Sequence, residues 1–180
     1  VNLKNFDVII APEHDGLKGN NIFTSKGAIH YITESEINEA KNCFEKAIKL
    51  NPALPELYNN LANVEKKLGN YKTVKENFQK AIELNPSYND AYYNFGKFLF
   101  ETGKYNESKF YFEKTIEQNS SHFNAYYNLG VVNAMSDNYH KASDLFKKSL
   151  EIKPTFIEAQ QNLANAHIKL LSSPKKIILD

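Results

Sequence analysis

The stretch Tyr92-Tyr93-Asn94-Phe95-Gly96 returns 34 residues later as Tyr126-Tyr127-Asn128-Leu129-Gly130, and this pair decides how the rest of the chain is read. Working outward, Phe44, Phe78, Phe112 and Phe146 keep the same interval, and so do Asn60, Asn94, Asn128 and Asn162. The tyrosines form two more series, Tyr58/Tyr92/Tyr126 and Tyr71/Tyr105/Tyr139; Pro52, Pro86 and Pro154 hold the register, with Ser120 in place of one proline. One period shared by unrelated residue types marks a stacked repeat, in which each unit buries its apolar face only against its neighbours.

Inside each unit the apolar positions recur at three- and four-residue spacing. Leu57, Leu61, Val64 and Leu68 form one such stripe, and Val74, Phe78, Ala81 and Ile82 the next, the pattern of two amphipathic helices. Between them stand Gly69-Asn70, Gly103-Lys104 and Ser136-Asp137-Asn138, where glycine or asparagine can take the left-handed conformation that ends a helix. Asn51-Pro52, Asn85-Pro86 and Lys153-Pro154 close the second helix, because proline restricts the residue before it. Each unit is therefore expected to be a helical hairpin.

These residues resemble the tetratricopeptide repeat. The small residue that family places on its first helix is matched by Ala62, Gly96, Gly130 and Ala164. Those of its second helix are matched by Ala40, Ser108 and Ala142, with the larger Val74, and by Ala47, Ala81, Thr115 and Ser149. The resemblance implies an all-α fold, an α-solenoid of helical hairpins. Three full repeats are expected over 55–156 (55–88, 89–122 and 123–156), preceded by a lone second helix in 34–54 and followed by a capping helix at 157–171 and a tail at 172–180. Late in the first helix the family's aromatic gives way to Glu65, Leu99, Asn133 and His167; Glu65 and Asn133 need hydrogen-bond partners if buried, which predicts a wetter inner layer, and His167 is expected at the surface or in a cap.

Residues 1–33 do not fit the period. Phe6-Asp7-Val8-Ile9-Ile10-Ala11 is a β-rich run bounded by Pro12, and Gly16, Gly19 and Gly27 punctuate a loop-like continuation. The stretch Ala11-Pro12-Glu13-His14-Asp15-Gly16-Leu17, with Gly19-Asn20-Asn21 and Thr24-Ser25-Lys26-Gly27-Ala28-Ile29-His30, resembles the mitochondrial-fission-like family related to two-domain glycosyltransferases. That resemblance implies a fragment of a nucleotide-sugar-type α/β domain, and residual nucleotide-sugar chemistry as one possible activity.

Charge and composition exclude some roles. With 22 basic against 21 acidic side chains, a net charge of +1 and no arginine, the chain lacks the basic stripe and forked guanidinium groups of a nucleic-acid surface. No apolar run has a bilayer-crossing length and no leader is legible, so no membrane role and a cytoplasmic location are expected. Cys43, the single cysteine, is expected to be a small buried hydrophobe of an amphipathic helix. Glu13, His14 and Asp15, with His30, are the only tight group of catalytic residue types; adjacent residues on an extended segment point to opposite faces and cannot converge on one atom. No catalytic residue, metal site or cofactor is expected, and the chain is not expected to be an enzyme.

In the family geometry the first helix of every repeat lines the concave wall. Asn60, Asn94, Asn128 and Asn162 would then form a ladder of amides, each offering donors and an acceptor to an extended peptide backbone. The ladder resembles that of the peptide-holding arm of protein O-glycosyltransferases. Asn59, Asn63, Tyr93, Lys97 and Tyr127 are the neighbouring groove positions, a neutral and tyrosine-rich wall. The chaperone-type carboxylate clamp sets lysine and arginine around the asparagine, whereas Glu56, Asp90, Asn124 and Glu158 stand two residues into the repeats here; an acidic C-terminal tail is not the expected ligand. The expected function is binding of an extended segment of a partner protein in the groove. The alternative is the substrate-recruiting arm of a glycosyl- or sulfotransferase whose catalytic domain lies outside the chain.

Overall fold

A computed structural model describes the backbone of residues 9–12 and 22–25 and all of residues 33–172. Two short strands, β1 (Ile9–Pro12) and β2 (Ile22–Ser25), pair in parallel with Ile9 opposite Ile22. The strand thus includes Pro12, which the sequence reading took as its boundary. Glu13, His14, Asp15 and His30 lie outside the described residues.

Eight helices follow among the described residues: α1 (Glu34–Leu50), α2 (Pro55–Lys67), α3 (Tyr71–Leu84), α4 (Asn89–Glu101), α5 (Tyr105–Gln118), α6 (Phe123–Met135), α7 (Tyr139–Ile152) and α8 (Ile157–Ser172). The protein is an α-solenoid of helical hairpins, α2/α3, α4/α5 and α6/α7. At the start of α1 a capping box closes: Thr33 Oγ1 accepts from the Glu36 amide at 3.3 Å, and the Glu36 carboxylate accepts from the Thr33 amide at 2.7 Å.

One device ends the first helix of every hairpin. The amide of Asn70, Lys104 or Asn138 reaches back to the carbonyl of Glu65, Leu99 or Asn133 at 3.0, 2.8 and 2.9 Å. The amide of Gly69, Gly103 or Asp137 bonds the carbonyl of Lys66, Phe100 or Ala134. This paired 6→1 and 5→2 pattern needs a left-handed residue between its two arms, and the φ values of Gly69, Gly103 and Asp137 are 76°, 78° and 58°. In the third turn, Ser136-Asp137-Asn138, that residue is Asp137 rather than the expected asparagine; a short polar side chain tolerates the conformation.

The core is a file of rings between the hairpins. Phe78, Phe95, Phe112 and Phe146 are essentially inaccessible, with Phe78 and Phe95 stacked at 5.5 Å. The small residues let these rings approach: a methyl group built on Gly96 would meet the Phe112 ring at 3.0 Å, and one on Gly130 would meet Phe146 at 2.6 Å. Val74, Ser108, Ala142, Ala81, Thr115 and Ser149 are all fully buried at the same interface.

Burial corrects one expectation. Cys43 is exposed, because it stands off the stripe in which α1 buries Phe44 and half-buries Ile37 and Ile48. Glu65 and Asn133 are both buried and both find the partners that burial requires. Glu65 is held by Lys41 at 2.9 Å and by the Asn70 amide at 2.5 Å, and Asn133 donates to the Leu129 carbonyl at 2.8 Å. His167 is exposed, its Nε2 2.9 Å from Ser143 Oγ. α8 leaves Ile157, Ile168 and Leu171 exposed.

Candidate peptide-binding groove

α2 touches α4, and α6 touches α8, so these first helices share one side of the solenoid. The groove residues expected from the sequence all lie on them. Asn60, Asn63, Asn94, Tyr93, Asn128, Tyr127 and Asn162 are half-buried, Lys97 is exposed and Asn59 is buried.

The ladder asparagines are not independent. Asn94 Nδ2 donates to Asn59 Oδ1 at 3.1 Å, Asn128 Nδ2 to Tyr93 Oη at 3.2 Å and Asn162 Nδ2 to Tyr127 Oη at 2.9 Å. Each rung is thus tied to the residue just before the previous rung. Asn60 sits lower in the series and accepts from Asn59 Nδ2 at 3.4 Å. Among the described residues no group donates to the Oδ1 of Asn94, Asn128 or Asn162. One amide hydrogen per rung is therefore spent on aligning consecutive repeats, a role that spacing alone does not reveal because both partners lie on different helices.

A second series follows the same register, and the sequence reading did not single it out. The residue before each first helix is Leu54, Tyr88, His122 or Phe156. His122 lies 4.5 Å from the Tyr93 ring and Phe156 lies 4.9 Å from Tyr127. Lys153 Nζ stands 4.5 Å over Phe123, beside the same group of rings. Burial raises the pKa of the Tyr93 and Tyr127 phenols, keeping both neutral. His122 also caps α6, its Nδ1 accepting from the Ala125 amide at 3.1 Å. Burial lowers its pKa from 6.5, and the cap requires the same neutral form.

At the first repeat the wall is different. Asn59 occupies the position that Tyr93 and Tyr127 fill further along, and a cleft of about 720 Å³ opens there. Asn59, Asn60, Asn63 and Asn94 form its amide side, Phe44, Leu54 and Leu57 its apolar side, and Glu56, Tyr88 and Asp90 also line it. The Tyr88 pKa is pushed up to about 12, by burial first and then by the nearby charges of Asp90 and Glu56. A smaller cleft of about 280 Å³ lies between α6, α7 and α8, against Met135, Tyr139 and Ala166. Among the described residues no group of three or more His, Cys, Asp or Glu could hold a metal ion, and no helix is long and apolar enough to cross a membrane.

A helical-hairpin solenoid with an amide- and tyrosine-lined inner wall defines a class of protein, and the comparisons give that class its family. Three models described as tetratricopeptide repeat match residues 55–88, 77–110 and 99–155. The solved structure of YrrB, described as a TPR protein with an unusual peptide-binding site, is 32% identical, with a TM-score of 0.62 over 73% of this chain and 68% of that one. The chain belongs to the tetratricopeptide-repeat proteins. MamA is similar at 25% identity and TM-score 0.68, over 75% of this chain and 79% of that one. The first TPR of Spaghetti (RPAP3), solved bound to the HSP90 peptide SRMEEVD, shares the fold at 19% identity and TM-score 0.63, over 66% of this chain and 94% of that one. Residues 1–55 match the model described as Mitochondrial fission ELM1. Nothing among the curated proteins matches the chain.

Proposed function

We propose that this chain is a protein-interaction module that takes an extended peptide segment of a partner along its inner wall. The observation that carries the reading is the row of ladder asparagines beside half-buried tyrosines, tied together from rung to rung by hydrogen bonds that leave their carbonyls without a donor among the described residues. An extended strand presents amides at regular intervals, which suits a row of acceptors with a similar polarity. Tyrosine rings supply contact area at low entropy cost. YrrB supports the reading as a relative described by its peptide-binding site.

Site-specific photo-crosslinking tests it. A photoreactive residue at Asn63 or Lys97 on the inner wall is expected to capture partner segments from cell extract. The same residue at Lys75 or Glu107, exposed on the outer helices, is expected to capture few. Equal yields from both faces would remove the groove assignment.

The match of residues 1–55 to the ELM1 model favours a second reading, in which the array recruits substrates for a transferase. Tandem affinity purification of the full chain decides it: stoichiometric recovery of a glycosyl- or sulfotransferase is expected, and recovery of none overturns it.

A further inference from the structure

The groove is built to one pattern in the second and third repeats and to another in the first, and position 59 carries the change from ring to amide. Tyr93 packs on Phe112 at 6.1 Å and on His122 at 4.5 Å. Tyr127 packs on Phe146 at 5.9 Å and on Phe156 at 4.9 Å. In both, the phenol fills the space between the ladder and the residue that precedes the next first helix. Asn59 holds the equivalent place in the first repeat. It still supplies the acceptor for the next rung, but its shorter side chain leaves the cleft of about 720 Å³ open.

The chemistry of that cleft is one-sided. Its ten lining residues include the carboxylates of Glu56 and Asp90 and no lysine or histidine. Neither carboxylate is ion-paired with a described residue, and both are exposed, whereas seven other carboxylates along the array have a lysine within 4.0 Å: those of Glu45, Glu65, Glu83, Glu101, Glu117, Asp144 and Glu151. The negative potential reaches the Tyr88 phenol inside the cleft. The apolar side, Phe44, Leu54 and Leu57, suits the methylene stem of a long cation while the carboxylates hold its head.

Resting on the groove reading above, we propose that the first-repeat cleft takes a lysine or arginine side chain of the bound peptide and so fixes which partner segment the groove accepts. The amides of Asn60, Asn63 and Asn94 hold the backbone on either side of that residue. Glu56 and Asp90 meet its charge at the rim, and the missing ring at position 59 makes the room.

NMR titration of the isotope-labelled full chain tests this with three end-blocked peptides, Gly-Leu-Ser-X-Ser-Leu-Gly, in which X is Lys, Gln or Glu. The Lys peptide is expected to bind about tenfold more tightly than the Glu peptide and to shift the side-chain amide signals of Asn59, Asn60, Asn63 and Asn94. In the double variant Glu56→Gln/Asp90→Asn the three peptides are expected to converge within about twofold, these exposed positions leaving the fold intact. Asn59→Tyr copies the later repeats and keeps an acceptor for Asn94; it is expected to preserve the dispersed spectrum and abolish the Lys preference. Equal binding of all three peptides by wild type, or Lys-peptide shifts confined to α6 and α8, would overturn the charge assignment and leave groove binding standing. No shift with any peptide would overturn groove binding itself and this inference with it.

Discussion

The first repeat and the two that follow it share one backbone and one ladder, yet one groove segment is open and acidic and the other is filled by rings. At the first repeat Asn59 opens a cleft beside Glu56 and Asp90. At the second and third, Tyr93 and Tyr127 close the equivalent space by packing against His122 and Phe156. The difference teaches that in a solenoid the repeat unit sets the wall and single positions set the pockets. It also teaches that a residue in the ladder can change partner without breaking the ladder, since an amide oxygen at Asn59 and a phenol oxygen at Tyr93 accept the same bond.

The largest expected effect comes from making the second repeat resemble the first. Tyr93→Asn removes a ring packed on Phe112 and His122 and is expected to cost about 3 kcal/mol, read by urea denaturation; a loss below about 1 kcal/mol would mean that the ring is dispensable and the comparison superficial.

Next comes the brace on the first repeat. Lys41 joins α1 to buried Glu65 at 2.9 Å, and Lys41→Met strands that carboxylate. We expect a loss of about 2 kcal/mol, moderated because Lys41 is partly exposed, with hydrogen exchange accelerated first in α1. The hydrogen bond to Glu65 raises the Lys41 pKa above 10.5. The brace is therefore fully present below pH 10.5 and lost as pH rises through the folded value, so alkaline titration should loosen α1 in wild type and change little further in Lys41→Met.

His122 gives the opposite pH sign at the other end of the comparison. Its pKa is depressed below 6.5 in the fold, so the unfolded chain binds a proton first and stability falls as pH drops below 6.5. His122→Asn keeps a helix-capping side chain and is expected to flatten that dependence; an unchanged pH profile between wild type and variant would remove His122 from the account.

The smallest effect is expected at Ser149. Its buried hydroxyl has no hydrogen-bond partner, whereas Thr115 at the equivalent position donates to the Tyr111 carbonyl at 2.8 Å and Ala81 carries no hydroxyl. Ser149→Ala should raise stability by about 0.5–1 kcal/mol; destabilisation would show that the hydroxyl is satisfied in solution.

Much of this was legible along the chain. The interval of Phe44, Phe78, Phe112 and Phe146, the glycines at 69 and 103 and the small residues at 62, 96 and 130 place helices, turns and core correctly, because each depends on neighbours a few residues away. Cys43 was misread because an amphipathic stripe gives the buried face only to within a residue's rotation. Asp137 was missed because the turn's hydrogen-bond pattern, rather than residue preference, selects which position turns left-handed. The aromatic partners His122 and Phe156 left a signal in the same period, a series of bulky residues at 54, 88, 122 and 156, that their varied chemistry concealed.

What the sequence by itself determined is the repeat: period, hairpin, closing turn and ring-filled core are local consequences of spacing and side-chain size. The tertiary structure alone decided which side chains surround the ladder. Whether Asn94 bonds the preceding repeat, whether Lys41 reaches Glu65, and whether position 59 leaves a cleft all depend on side chains of different helices, brought together only when those helices pack.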